Sequence, residues 1–310
     1  MAESKSRKYD IVGLGLCTVD YIALLKRYPG PDSKIEALET SIQGGGPVPT
    51  ALCTASRLGL KTSFIGVVGD DRDGRFIADE LKQFKVDTSY LRVIRGSTSN
   101  RAFIWADRAN GTRNVVLDKS GAGEIDISTV PDSFYKSATI LHIDGRNLEA
   151  DIEAAEAARS DGVEISVDIG SERYGSRELL QLTDHLVISN TFAYSFCDTQ
   201  STEHCIEDLR SYGFKSCVIT FGEKGSCGFE EGDEVIHQRA YILDDFVDST
   251  GAGDVFHGAY LYGLTRGMSL KERLEFASAT SALKCRQLGG RIGIPQLKEV
   301  EEFLSDVDDI

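Results

Sequence analysis

ATILHIDGRNLEADIEAAEAARSDGVEISVDIG, residues 138–170, decides the fold class. Strand formers fill both ends, and the intervening EADIEAAEAARSDG (149–162) reads as a helix. Two apolar strands joined through a helix run parallel, because the helix carries the chain back to the end where the first strand began. The pattern then repeats. HLVISN (185–190) and KSCVITFG (215–222) are strands with the helix TEHCIEDLRSYG (202–213) between them, and GSCGFE (225–230) adds another strand. Near-continuous apolar strands alternating with helices predict an α/β chain whose mainly parallel sheet is covered on both faces.

Toward the amino end, YDIVGLGL (9–16) and TSFIGVVG (62–69) read as strands. Between them PTALCTASRLGL (49–60) is a helix, with Pro47 and Pro49 suited to its first turn. DDRDGRFIADELKQFKV (70–86) is a second helix, because Phe76, Ile77, Leu81 and Phe84 recur at helical spacing. AFIWADRANGTRNVVL (102–117) reads as a hairpin turning at Asn110-Gly111. Toward the carboxyl end, helices are expected at about 254–266 and 270–287, the second opened by a Ser269/Glu272 capping box. There is no internal repeat, long linker or low-complexity run. A small subdomain fits best at the hairpin and the residues before the first glycine loop.

The chain has 310 residues and a formal net charge of -15. A surface this acidic argues against a general nucleic-acid or anionic-membrane binder. MAESKSRKYD (1–10) lacks the apolar core of a signal peptide. DIVGLGLCTVDYIALL (10–25) is broken by glycines and Asp20, so it reads as a buried strand and its exit loop rather than a membrane span. The seven cysteines form no CxxC pair and no disulfide framework, which points to a reducing compartment. A cytoplasmic protein is expected.

The chemistry concentrates in DSTGAGDVFHGAYLYGL, residues 248–264. Thr250-Gly251-Ala252-Gly253 precedes a helix whose first turn holds Asp254. Small residues leave the amides of 251–253 bare, and the helix end adds positive partial charge. That suits charge developing on a transferring phosphoryl group, with Asp254 placed to take the proton of an attacking hydroxyl. The GxG of Gly13 and Gly15 lacks the third glycine and downstream acid of a dinucleotide site, and no Walker loop is present. Asp20 follows that first strand, where a carboxylate can accept two hydroxyls of a polyol. Arginines 92, 95, 101, 108 and 113 crowd the hairpin region. Arg113 and Arg101 are the candidates among them for phosphate or an anionic sugar substituent, and Arg146, at a strand end, for substrate. The five histidines do not cluster by spacing; His257, one turn beyond Asp254, reads equally as site or packing.

DSTGAGDVFHGA (248–259) resembles the carboxyl-terminal signature of the ribokinase-like (PfkB) carbohydrate kinases, roughly D-T-x-G-A-G-D, apart from Ser249-Thr250 in its middle. QGGGPVPTALCTASRLG (43–59) resembles the amino-terminal signature, FIGVVGDDRDG (64–74) the G-x-V-G-x-D-x-x-G element, and ITFGEKGS (219–226) the T-x-G-x-x-G nucleotide loop. The four motifs stand in family order and span about residues 8–295. The resemblance implies a ribokinase-like three-layer sandwich over 8–304 with a small β lid, mainly about 15–45 and 90–120. Within the family, DYIALLKRYPGPDSKI and LHIDGRN are similar to the ketohexokinases, and GGGPVPTA, GDVFHGA, FASATSALKC and GGRIGIP to bacterial sulfofructose kinases.

What the resemblance implies for function is ATP-dependent phosphorylation of a sugar hydroxyl, on a ketose or ketose derivative. Asp254 takes the place of the general base, and the amides of Gly251, Ala252 and Gly253 that of the anion hole. Asp20 matches the sugar-binding aspartate, and Gly44, Gly45 and Gly46 lie where the glycine pair meets the sugar. Asn190, Thr220, Gly222, Gly225 and Arg113 would serve ATP, with magnesium held through ATP and water. Many relatives also hold a monovalent cation, potassium, near the loop of Asp248. The lid implies a homodimer. The chain departs from the pattern where NTFA (190–193) replaces N-x-x-E, and where Pro49 and Gly46 stand in place of sugar-binding asparagines. A nucleoside kinase, a phosphofructokinase-like sugar-phosphate kinase and a non-catalytic sugar or nucleotide sensor share the fold and stay open.

Overall fold

A computed structural model describes residues 7–119 and 121–308. Residues 1–6, on which part of the signal-peptide reading rests, and Ser120 at the end of the expected lid span lie outside the described residues. The strands are β1 (Tyr9–Leu14), β2 (Thr18–Leu25), β3 (Glu39–Gly45), β4 (Thr62–Gly69), β5 (Asp87–Ile94), β6 (Arg101–Asp107) and β7 (Thr112–Asp118). They continue with β8 (Ala138–Ile143), β9 (Glu164–Asp168), β10 (His185–Ser189), β11 (Ser216–Thr220), β12 (Ser226–Glu230) and β13 (Ile236–Gln238). The helices are α1 (Pro47–Arg57), α2 (Arg72–Gln83), α3 (Asp132–Tyr135), α4 (Leu148–Arg159) and α5 (Ser176–Gln181). After them come α6 (Asn190–Phe196), α7 (Thr202–Arg210), α8 (Ala252–Thr265), α9 (Leu270–Lys284) and α10 (Leu297–Asp308).

The large sheet has the order β13-β12-β11-β10-β9-β8-β1-β4-β5. It is parallel from β11 to β5, while β12 and β13 join antiparallel at one edge. Alternate residues of each buried strand feed two cores. Val12, Leu141 and Leu186 pack with α4 to α7, whereas Ile11, Ile140 and Val187 pack with α1, α2, α8, α9 and α10. That alternation is the period-two geometry of a strand buried on both sides, and it makes three layers. The Ser269/Glu272 capping box forms at the start of α9 as expected.

A second sheet, β3-β2-β6-β7, stands beside the first. Two features differ from the sequence reading. Residues 18–25, read as part of the exit loop after β1, form β2, because pairing with both β3 and β6 outweighs the Asp20 interruption. Residues 87–94, partly counted with the lid, form the edge of the large sheet beside β4, so this part of the small sheet begins at Arg101. The hairpin of β6 and β7 turns through Asn110-Gly111, with Gly111 at φ +64°. The described residues contain no helix long and apolar enough to cross a membrane.

Candidate active site

Gly251 adopts φ +74° and caps α8, and a Cβ there would crowd the backbone of Gly290. This turn starts a helix of 14 residues with its amino end open. The Ala252 amide does not face outward as the sequence suggested. It closes a turn onto the Ser249 carbonyl at 3.1 Å, leaving the Gly251 and Gly253 amides bare among the described residues. A Cβ on Gly253 would meet nothing within 4 Å. An open, positively polarised cradle of this kind takes an anion.

The loop before it is held from below. The buried Asp248 carboxylate accepts the Thr250 amide at 3.0 Å, the Thr250 hydroxyl at 2.9 Å and the Gly289 amide at 2.9 Å. Lys284 Nζ donates to the carbonyls of Asp248, at 3.0 Å, and Thr250. Ser281 donates to the Ala252 carbonyl at 2.8 Å.

Asp254 lies in the first turn of α8, and its carboxyl is pushed above the usual range. Burial is the main cause and the neighbouring Asp168 carboxylate adds to it, while His257, Arg113 and Arg291 oppose. Asp168 ends β9, and the sequence reading missed it. Its Oδ2 is 3.5 Å from His257 Nδ1. His257 Nδ1 also lies 2.8 Å from the Gly253 carbonyl, and Nε2 2.9 Å from the Val187 carbonyl. Both ring nitrogens thus face acceptors, which an imidazolium satisfies and a neutral ring cannot. Burial lowers the His257 pKa, yet Asp168 and the two carbonyls leave it net raised. His142, 5.9 Å away between ring centroids, is kept neutral, its pKa pulled down to about 3 by burial and by His257.

Asp20, on β2, lies within electrostatic reach of Asp254. Burial raises its pKa to about 6, Thr18 and Arg291 pull it back, and Asp254 pushes it up. The Thr18 hydroxyl donates to it at 2.6 Å. The space beside the glycines that end β3 is filled by protein. A Cβ on Gly45 would overlap the Asp20 carboxylate, and one on Gly44 would overlap Arg291 and Glu80. Gly46, at φ +100°, is pressed against the Leu16 carbonyl. Arg291 is buried, with its guanidinium on Glu80, on the Gly45 carbonyl at 3.0 Å and on the Thr50 hydroxyl at 3.2 Å. Glu80 in turn accepts the Gly44 amide at 2.8 Å, and Gln43 Oε1 accepts the Arg291 amide at 2.9 Å.

The family profile for "pfkB family carbohydrate kinase" matches residues 8–297. The chain belongs to the pfkB family of carbohydrate kinases. As a member it is an ATP-dependent phosphotransferase. The kinase is similar to a ribokinase of Staphylococcus aureus, 28% identical over 304 residues covering 94% of this chain and 98% of that protein. It is also similar to a 5-dehydro-2-deoxygluconokinase of Shouchella clausii, 26% identical over 322 residues and 97% of each chain. Its fold matches a putative ribokinase II from E. coli solved with ATP and magnesium, at TM-score 0.83 and 24% identity, over 96% of this kinase and 99% of that chain.

The other expected residues of the kinase divide. Asn190, at the start of α6, and Thr220, at the end of β11, sit on neighbouring strand ends where Ser189 pairs Thr220. Gly222 and Gly225 take φ +60° and +96°, and a Cβ on Gly225 would overlap the Gln238 carbonyl. Arg113 is exposed on β7 within electrostatic reach of Asp254, beside the hairpin tip whose Gly111 carbonyl accepts the Ser249 hydroxyl at 3.4 Å. Arg146 follows β8 half-buried, its amide on Asp144 at 3.1 Å. Asp144, raised to about 7 mainly by burial, accepts the Leu16 amide at 2.8 Å, and Gly15 is small to admit its carboxylate.

Arg101 is employed elsewhere. Its guanidinium binds Asp73, and Asp71 at 3.3 Å, at the start of α2, so its visible role is to tie the small sheet to that helix. The bare amides fit ATP phosphates. No group of three or more His, Cys, Asp or Glu able to hold a metal occurs among the described residues. Potassium fits the Asp248 loop poorly, since an ammonium already takes the two carbonyls.

Proposed function

We propose that this kinase phosphorylates a hydroxyl of a ketose or ketose derivative by direct in-line transfer, with Asp254 as general base. The observation that carries the reading is the open amino end of α8, where bare amides of Gly251 and Gly253 adjoin Asp254, with Asp20 in electrostatic reach of Asp254. Asp20 orients the sugar by accepting hydroxyl protons. Asp254 holds the attacking hydroxyl and takes its proton as the new O–P bond forms. The two amides bear the charge developing on the transferred group. Asn190, Thr220, Gly222, Gly225 and Arg113 hold the nucleotide. Magnesium, when bound through phosphate and water, supplies charge neutralisation.

Two points support a ketose derivative over ribose. The places of the sugar-binding asparagines hold Gly46 and Pro49, so the acceptor must be recognised differently. One similar protein is named for a keto sugar acid, and Arg146 stands at a strand end suited to a carboxylate. ATP consumption measured across fructose, its 1- and 6-phosphates, sulfofructose, 2-keto-3-deoxygluconate, 5-dehydro-2-deoxygluconate, ribose and nucleosides tests this. Preference for ribose or a nucleoside would refute the ketose reading.

The small sheet also supports a homodimer through the lid. Ile42, Tyr21, Phe103 and Val116 form one cross-strand row. Of these Ile42, Phe103 and Val116 are 40–51% exposed, an apolar row suited to a second copy. Sedimentation showing a monomer at all concentrations would remove that assignment.

A further inference from the structure

We propose that the Lys284 ammonium is a built-in replacement for a monovalent cation beneath the phosphate loop, so that this kinase needs no free potassium. The inference rests on reading Gly251 and Gly253 as the anion cradle. Lys284 ends α9 and is 0% exposed, so its long side chain is spent entirely inside the protein. Its Nζ donates to the carbonyls of Asp248 and Thr250, on either side of Ser249 in the irregular stretch that leads into Gly251. Carbonyls outside helix and sheet need another partner when buried.

A potassium ion meets that need by gathering carbonyl oxygens, and an ammonium meets it with the same unit charge and three donors. Burial pulls the lysine pKa below its usual value, but the nearby Asp248 and Asp254 carboxylates work against that pull. Asp248 is itself fixed by three hydrogen bonds, so the buried cation has a rigid counter-charge. Because the ammonium is tethered, the loop keeps its shape without capturing an ion from solution.

The test uses the full-length enzyme in tetramethylammonium buffer, with potassium or sodium chloride titrated in at constant ionic strength. Wild-type turnover and Tm are expected to stay unchanged. Lys284→Ala is expected to lose about tenfold or more of its turnover. Potassium or ammonium ions should recover part of that loss and raise the variant's Tm. A several-fold rise in wild-type turnover with potassium, or a potassium-specific rise in wild-type Tm, overturns the proposal. So does a Lys284→Ala enzyme that keeps full turnover without any such ion. If the variant does not fold, the wild-type arm decides alone. If no sugar is consumed by the wild type in any salt, the acceptor reading has failed, and the Tm arm still decides the cation.

Discussion

Two glycine-rich segments, the end of β3 and the turn that starts α8, use their missing side chains in opposite ways. At the end of β3, the space beside Gly44 and Gly45 is occupied by Arg291, Glu80 and Asp20. At the start of α8, the space beside Gly253 is open. Glycine in the first admits the protein's own charged groups; in the second it leaves room for a ligand. Composition alone does not separate the two cases.

Breaking the open side should have the largest effect. Asp254→Asn is expected to lower kcat by about 10²–10⁴. ATP affinity in an equilibrium binding assay should stay near wild type, and near-normal turnover would remove Asp254 as base. On the filled side, Arg291→Met leaves the partly buried Glu80 carboxylate without its partner, and chemical denaturation should show a loss of about 3 kcal/mol.

A matched pair sharpens the contrast. Gly45→Ala forces a methyl into the Asp20 carboxylate and should cost about 1–3 kcal/mol of stability. Gly253→Ala should change stability by less than about 0.5 kcal/mol, with its loss confined to turnover. Equal stability losses in the two variants would erase the distinction.

The smallest effect is a pH dependence. With Asp20 raised to about 6, its anion is lost as pH falls through 6. KM for the sugar should then rise while KM for ATP holds. The same shift means the folded state binds a proton more tightly than the unfolded chain. Asp20 therefore costs stability above pH 6, and that cost is relieved as pH falls from 6 toward 3.8. A sugar KM that is flat from pH 7.5 to 5.5 would exclude Asp20 as an ionised hydroxyl acceptor.

Local patterns carried much of this into view. The strand–helix–strand unit at 138–170, the capping box at Ser269 and the glycine turn before α8 are each written in neighbouring residues, where propensity and capping act. What escaped was nonlocal. Arg291 meets Glu80, Lys284 meets Thr250, and Asp168 meets His257 only after the sheet brings distant segments together, and no spacing rule announces such pairs. Arg101 shows the converse: arginine crowding suggested a phosphate, but Asp71 and Asp73 claim the charge. Residues 18–25 look broken by polar and small residues, yet pairing on both sides makes them a strand.

The position of Arg291 in the chain has a consequence for synthesis. The end of β3 and Gly46 are made early, but the side chain that fixes them comes 246 positions after Gly45, just before α10. During translation, amino-terminal segments emerge and begin to fold first. A ribosome-bound chain ending before Arg291 can hold its parallel sheet and still lack the guanidinium that joins Glu80 to the Gly45 carbonyl.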